Sequence, residues 1–172
     1  MTRNDFAVFI LTHGRADKVE TLKVLKKRGY TGKCYLVIDD EDDQAEKYYQ
    51  KYGKDVVIMF NKQSVVDITD TMDNFNEHRA IIYARNIVFE LARQKGLKYL
   101  LMLDDDYSNI MLRWQENGKL RAKNISNMDL VFSAMIDFLE RTNVDTIACA
   151  QGGTLLAALT EETSKKACFV RL

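Results

Sequence analysis

FAVFILTHGRADKVETLKVLKKRGYTGKCYLVIDD, residues 6–40, decides the fold class. Residues 6–12 form an apolar run of strand length closed by a threonine, as expected of a strand covered on both faces. Residues 17–28 then read as a helix. Asp17 and Glu20 have the spacing of a capping box, Val19, Leu22 and Leu25 share one face, and Gly29 stands where a helix stops. Residues 34–39 (CYLVID) return to an apolar run. Strand, helix, strand in this order is the unit of a parallel sheet.

The alternation continues in both directions from that unit. An amphipathic helix over 43–52 ends at Gly53, and a third strand follows at 56–60. Residues 61–77 are a polar connection longer than ordinary, which marks a candidate lid over a ligand. Residues 78–95 carry an apolar stripe of Ala80, Ile81, Ala84, Ile87, Val88, Leu91 and Ala92 that predicts a helix ending at Gly96. The strand LKYLLML at 97–103 runs directly into Asp104, Asp105 and Asp106. Asn117-Gly118 then predicts a hairpin turn between strands at 111–114 and 120–122. A helix over 127–141, with Leu130, Val131, Ala134, Met135, Phe138 and Leu139 inward, leads to a strand at 145–150 and a last apolar run at 168–172. The expected fold is α/β, a Rossmann-like three-layer sandwich with a mostly parallel central sheet and a small β-hairpin after the Asp104-x-Asp106 strand.

Composition is consistent with this. The 172 residues fit one domain, with 47% hydrophobic and 29% charged side chains, a balance that favours a globule over a disordered chain. Lys and Arg together number 25, as do Asp and Glu, so no global field draws the chain to nucleic acid or lipid and any such binding is local. No apolar stretch reaches membrane-spanning length, no signal peptide is recognisable, and Cys34, Cys149 and Cys168 lie in apolar runs without a C-x-x-C. A cytoplasmic protein with buried thiols and no membrane partner is the expectation.

Parallel sheets of this kind bind ligands beyond the carboxyl ends of their strands. Those ends carry Thr12-His13-Gly14-Arg15 after the first strand, Asp39-Asp40 after the second, and Asp104-Asp105-Asp106 after the strand at 97–103. There is no G-x-G-x-x-G after the first strand and no G-x-x-x-x-G-K-[ST], which sets aside a dinucleotide fold and a phosphate loop. Asp104 and Asp106, one residue apart where a buried strand gives way to a turn, suit a hard divalent cation, Mn²⁺ or Mg²⁺, bridging a diphosphate. The competing reading is a solvated acidic loop. For Glu41, Asp42 and Asp43 the expected role is a charged helix start favoured by the helix dipole.

Taken together, THGR after the first strand, IDD after the second, R-x-x-x-Y-A-R-N (Arg79, Tyr83, Ala84, Arg85, Asn86) on a helix and LMLDDD on a strand resemble the nucleotide-binding half of a GT-A glycosyltransferase. The stretches FILTHGRADKVETLKVLKKRGYTGKCYLVIDDED, TDTMDNFNEHRAIIYARN and YLLMLDDDY are more similar still to the TET-associated glycosyltransferases of bacteriophages, thought to attach sugars to hydroxymethylated bases in DNA. The resemblance runs from about Phe6 to Tyr107. It implies a single domain over 1–172, with 1–107 binding the nucleotide sugar and 108–172 forming the hairpin and a partial acceptor half. It further implies that Thr12, His13, Gly14 and Arg15 line the nucleotide, that Asp39 or Asp40 touches base or ribose, that Asp104 and Asp106 hold the metal, and that Asp105 lies near sugar hydroxyls. Arg79, Tyr83 and Asn86 would share a helix face turned to the donor, opposite the apolar stripe. The rival account of Arg79 and Arg85 is a solvated face. His13 has a rival as a plain turn residue, and His78 as a helix cap.

Arg113, Trp114, Lys119 and Arg121 make the hairpin basic and aromatic, which suits a phosphodiester acceptor such as DNA; an ordinary lysine-rich ribbon is the alternative. Glu161 and Glu162 in the closing segment sit in no motif, so no general base is identified. The expected function is metal-dependent transfer from a nucleotide-diphosphate sugar, with a UDP-sugar favoured, to a hydroxymethylated pyrimidine in DNA. A non-catalytic donor-binding subunit, half of a split enzyme completed by a partner chain, and a sugar nucleotidyltransferase stay open as alternatives.

Overall fold

A computed structural model describes residues 3–70, 77, 81–149 and 172, and the backbone of 167–171. The sheet is built from β1 (Phe6–Leu11), β2 (Lys33–Asp39), β3 (Val57–Phe60), β4 (Tyr99–Asp104), β7 (Thr146–Cys149) and β8 (Ala167–Arg171) in the order β3-β2-β1-β4-β8-β7. The first four are mutually parallel, while β8 runs antiparallel to both β4 and β7. β1 is central among the parallel strands and all six of its residues are buried, which is why its sequence is continuously apolar.

The pleat of β1 divides the core in two. Phe6, Val8 and Ile10 face one cluster with Val19, Leu22 and Leu25 near and on α1 (Glu20–Lys27), Tyr48 of α2 (Ala45–Tyr52), and Met128, Phe132, Ile136 and Leu139 of α5 (Met128–Arg141). Ala7, Phe9 and Leu11 face a second cluster with Val65 of α3 (Lys62–Val66) and Tyr83, Val88 and Ala92 of α4 (Ile82–Gln94). Helices therefore cover both faces of a Rossmann-like sheet, the architecture the sequence predicts. β5 (Met111–Glu116) and β6 (Lys119–Asn124) form the separate antiparallel ribbon. Its turn places both Asn117 and Gly118 at positive φ, 50° and 72°, as a tight hairpin turn requires.

Four local expectations are corrected. Asp17 does not cap α1, which begins at Glu20 with Val19 before it and no side-chain cap; its carboxylate instead binds Lys47 and Lys51 of α2. The connection at 61–77 is not wholly irregular, because Asn61 caps α3 by accepting from the Ser64 N–H at 2.8 Å; residues 71–76 of the expected lid lie outside the described residues. On α5 the inward face is rotated. Leu130 and Phe138 are exposed and Met128, Phe132 and Ile136 are buried in their place, because Phe132 packs edge-on against Phe6 and Tyr30 at 5.7 and 5.3 Å between ring centres. On α4, Ile81 is exposed and Tyr83 is 2% exposed, so Tyr83 belongs to the core and does not share an open face with Asn86.

Candidate active site

The carboxyl ends of β1, β2 and β4 open into a cavity of about 700 Å³. Thr12, His13, Arg15, Asp39, Lys62, Tyr83, Arg85 and all three of Asp104, Asp105 and Asp106 line it. The parallel register makes this convergence automatic, since Leu11 pairs with Val37 on one side and Asp104 on the other. One step further along the chain therefore brings the first-strand turn beside both acidic ends.

The three consecutive aspartates are not equivalent. Asp105 is 6% exposed and turns into the protein, accepting from the Thr12 hydroxyl at 2.7 Å and from the Arg15 guanidinium at 3.1 Å. Asp104 is half-buried and accepts from Arg85 Nη2 at 3.0 Å. Asp106 is exposed at the rim. Thr21 on α1 holds the backbone beneath them: its hydroxyl donates to the Asp104 carbonyl at 2.6 Å, accepts from the Tyr107 N–H at 2.9 Å, and its own N–H donates to the Asp105 carbonyl.

The turn after β1 is fixed by the start of α2. Asp42, buried, accepts from the Gly14 N–H at 2.8 Å. Gln44 clasps the same turn with both ends of its amide, accepting from Ala16 N–H and donating to the Gly14 carbonyl. The Tyr48 hydroxyl accepts from the Arg15 N–H at 2.9 Å and shares a hydrogen bond with the Thr12 hydroxyl at 2.8 Å. Burial, with the Asp42 and Asp105 charges adding to it, raises the Tyr48 phenol above its ordinary pKa, so it remains protonated at neutral pH.

His13 Nδ1 lies 2.8 Å from Asp39 Oδ2, and the buried Lys62 ammonium reaches Glu41 at 3.0 Å and Asp39 at 3.6 Å. Asp40 is placed elsewhere. Its carboxylate accepts from the Lys62 N–H and the Asn61 amide at the start of α3, and it does not line the cavity. Asn86 is exposed on α4 and contacts the Thr69 hydroxyl. Arg79 and His78 lie outside the described residues, as do Glu161 and Glu162. The hairpin residues stand apart from the cavity. Trp114 pairs across the ribbon with Arg121 and Arg113 with Ala122, which sets Arg113 on the face opposite Trp114, Arg121 and Lys119.

Several residues of the site are absent from the sequence reading or placed differently in it. Lys62 lies two residues past the end of β3, so applying the strand-end rule to the third strand as well finds it. Asp42, read as a helix-dipole acid, is instead a buried anchor. Tyr48 gives no signal beyond an amphipathic aromatic, because its partners lie 33 and 36 residues away in sequence. Arg85, weighed as a solvated residue, binds Asp104.

A parallel α/β sheet with a crevice at the carboxyl ends of its strands belongs to the class of folds that bind their ligands there. The family follows from comparison of the sequence: the model of the TET-Associated Glycosyltransferase family matches residues 6–171. The chain belongs to that family and is a glycosyltransferase. No curated protein and no solved structure gives a significant match to it. Among the described residues, no helix is long and apolar enough to cross a membrane.

Proposed function

We propose that the cavity binds a nucleotide-diphosphate sugar together with Mn²⁺ or Mg²⁺, and that the sugar passes to a hydroxymethylated pyrimidine in DNA. The observation that carries the metal is the charge of the lining. Among the described residues, Asp39, Glu41, Asp104, Asp105 and Asp106 outnumber the permanent cations Arg15, Lys62 and Arg85 in the lining, so a bare diphosphate meets net repulsion from them unless a cation arrives with it. The donor set fits such an ion. Asp104 and Asp106 offer two carboxylates, and Mg²⁺-like ions are commonly held by one or two carboxylates plus substrate phosphates.

When bound, the cation supplies positive charge opposite the departing diphosphate. The chain's own residues do the rest. Thr12 and Arg15, locked by Asp105 and Tyr48, orient the donor along the first turn, and the His13–Asp39–Lys62 group lies at the β2 and β3 end, where it meets the nucleoside. The acceptor hydroxyl forms its bond to the anomeric carbon as the bond from that carbon to the diphosphate oxygen breaks, and the hydroxyl proton leaves. Support for a DNA acceptor comes from the hairpin, where Trp114, Lys119, Arg121 and Lys123 give local positive charge with a stacking ring, and from the resemblance to glycosyltransferases thought to modify hydroxymethylated bases.

Calorimetric titration with UDP, GDP and their sugars, with and without Mn²⁺, tests this reading. Metal-dependent binding, followed by sugar transfer to DNA carrying hydroxymethylated pyrimidines, is the expected outcome. Binding without any transfer marks a donor-binding subunit, and no binding of any nucleotide ends the donor assignment.

A further inference from the structure

Arg85 makes an incomplete bond in a place where completion is easy. Its guanidinium reaches Asp104 through Nη2 alone, at 3.0 Å, and its Nε is buried with no hydrogen-bond partner among the described residues. A guanidinium normally meets an oxyanion through two parallel N–H groups, and a buried donor left unmade is costly. The partner carboxylate is equally uncommitted. Asp105 is held by both Thr12 and Arg15, whereas among the described residues Arg85 is the cation within ion-pair distance of Asp104. Arg85 sits on the first turn of α4 with its side chain 39% exposed, so its far end has room to swing.

We propose that Arg85 is a stand-in cation: it occupies Asp104 in the ligand-free protein, yields that carboxylate to the divalent ion when the donor arrives, and turns its fork onto a phosphate oxygen of the donor. This rests on the donor reading above and deepens it by giving Arg85 a positioning role. The exchange keeps Asp104 neutralised in the empty crevice, where like charges crowd. It also makes cation and diphosphate bind together, because the ion alone must displace an arginine that has no new partner, and the pair together supplies one.

The test measures Mn²⁺ binding to the full chain without nucleotide, by paramagnetic resonance or calorimetry, for the native protein, Arg85→Gln and Arg85→Lys, with thermal unfolding confirming that each is folded. Arg85→Gln is expected to bind Mn²⁺ alone at least threefold tighter than the native protein, and UDP in saturating Mn²⁺ about tenfold weaker. Arg85→Lys, which retains the charge and loses the fork, is expected to bind Mn²⁺ alone as the native protein does and UDP with intermediate affinity. A merely structural arginine would weaken both ligands on removal and could not tighten the metal. Unchanged or weaker Mn²⁺ binding by Arg85→Gln, with native Mn²⁺-dependent UDP binding intact, overturns the exchange and leaves the donor reading standing. If the native protein fails to bind UDP with Mn²⁺, the donor reading and the exchange fall together.

Discussion

Replacing Tyr48 with Phe removes one oxygen and keeps the buried ring, so it isolates what the phenol does for the turn after β1. The lost groups are an acceptor for the Arg15 N–H at 2.9 Å and a partner for the Thr12 hydroxyl at 2.8 Å. Thr12 retains Asp105, while the Arg15 N–H loses its side-chain acceptor. Each of the two lost hydrogen bonds contributes about 0.5–1.5 kcal/mol net. A loss of about 2 kcal/mol is therefore expected, which for a domain of this size lowers the melting temperature by about 4–8 °C. Urea unfolding should show the loss in the midpoint with the slope unchanged. Tyr52→Phe is the control, because its hydroxyl donates to the Ala16 carbonyl at 2.8 Å, away from Thr12 and Arg15, and its removal is expected to cost about 1 kcal/mol. Donor affinity should also fall in Tyr48→Phe, since Thr12 and Arg15 lose their common anchor. Stability within about 0.5 kcal/mol of native, together with unchanged UDP binding, would show that the turn is held by Asp42 and Gln44 alone.

Gly29 has φ of +79°, and a Cβ there would meet the Ser126 carbonyl oxygen at 2.8 Å. Gly29→Ala should therefore lose clearly more in thermal unfolding than Gly96→Ala, where φ is +65° and the space is open, so that a left-handed penalty of about 1–2 kcal/mol applies without a clash; equal losses would refute the contact. Burial pushes the Cys34 thiol up to about 12, so in a Cys149→Ser, Cys168→Ser background a disulfide reagent should label native protein slowly at pH 7.5 and rapidly in denaturant. Immediate labelling of the native chain would refute it. Tyr30, Tyr35, Tyr48 and Tyr107 are raised as well, burial being the largest cause in each. Folding thus favours the protonated phenols and thiol: the thiol's contribution begins to fall from about pH 8 and the phenols' from about pH 9, where the unfolded chain ionises first. The urea midpoint should fall steadily from pH 9 to 11, and a flat profile would contradict the burial of these groups.

The parts of the molecule legible in the sequence are those where one physical demand acts alone. FAVFIL is apolar because β1 has neighbours on both sides and helices above and below, and no other element competes for that pattern. Asn117-Gly118 is legible for a similar reason, since few residues accept two consecutive positive φ values. Legibility fails where two demands can be met by the same letters. MDLVFSAMIDFLER in α5 offers apolar residues around most of its circumference, and the choice of face falls to Phe132, whose aromatic partners Phe6 and Tyr30 are remote in sequence. Asp17 fits a capping box locally, yet Lys47 and Lys51 lie across the fold and claim it. In the site, the strand-end rule finds Thr12, His13, Arg15, Asp39 and the three aspartates, because parallel register alone brings those ends together. It does not find Tyr48, Asp42 or Thr21, whose task is to hold backbone belonging to other elements.

The same distinction explains why three aspartates in a row are tolerated at the end of a buried strand. Adjacent carboxylates repel, and a fold selected for stability alone would separate or neutralise them. Here Asp105 is neutralised by the fold itself, through Thr12 and Arg15, and in return it fixes the turn that faces the ligand. Among the described residues, Asp104 receives one half-made side-chain contact, from Arg85, and Asp106 is left at the rim. The Thr21 bonds hold the backbone of this acidic corner from below, so the strand end cannot relax by unwinding into solvent. An arrangement that restrains the backbone while leaving two of its three charges incompletely compensated is costly to the empty protein. The cation proposed above would recover that cost, which ties its binding to that of the proposed donor.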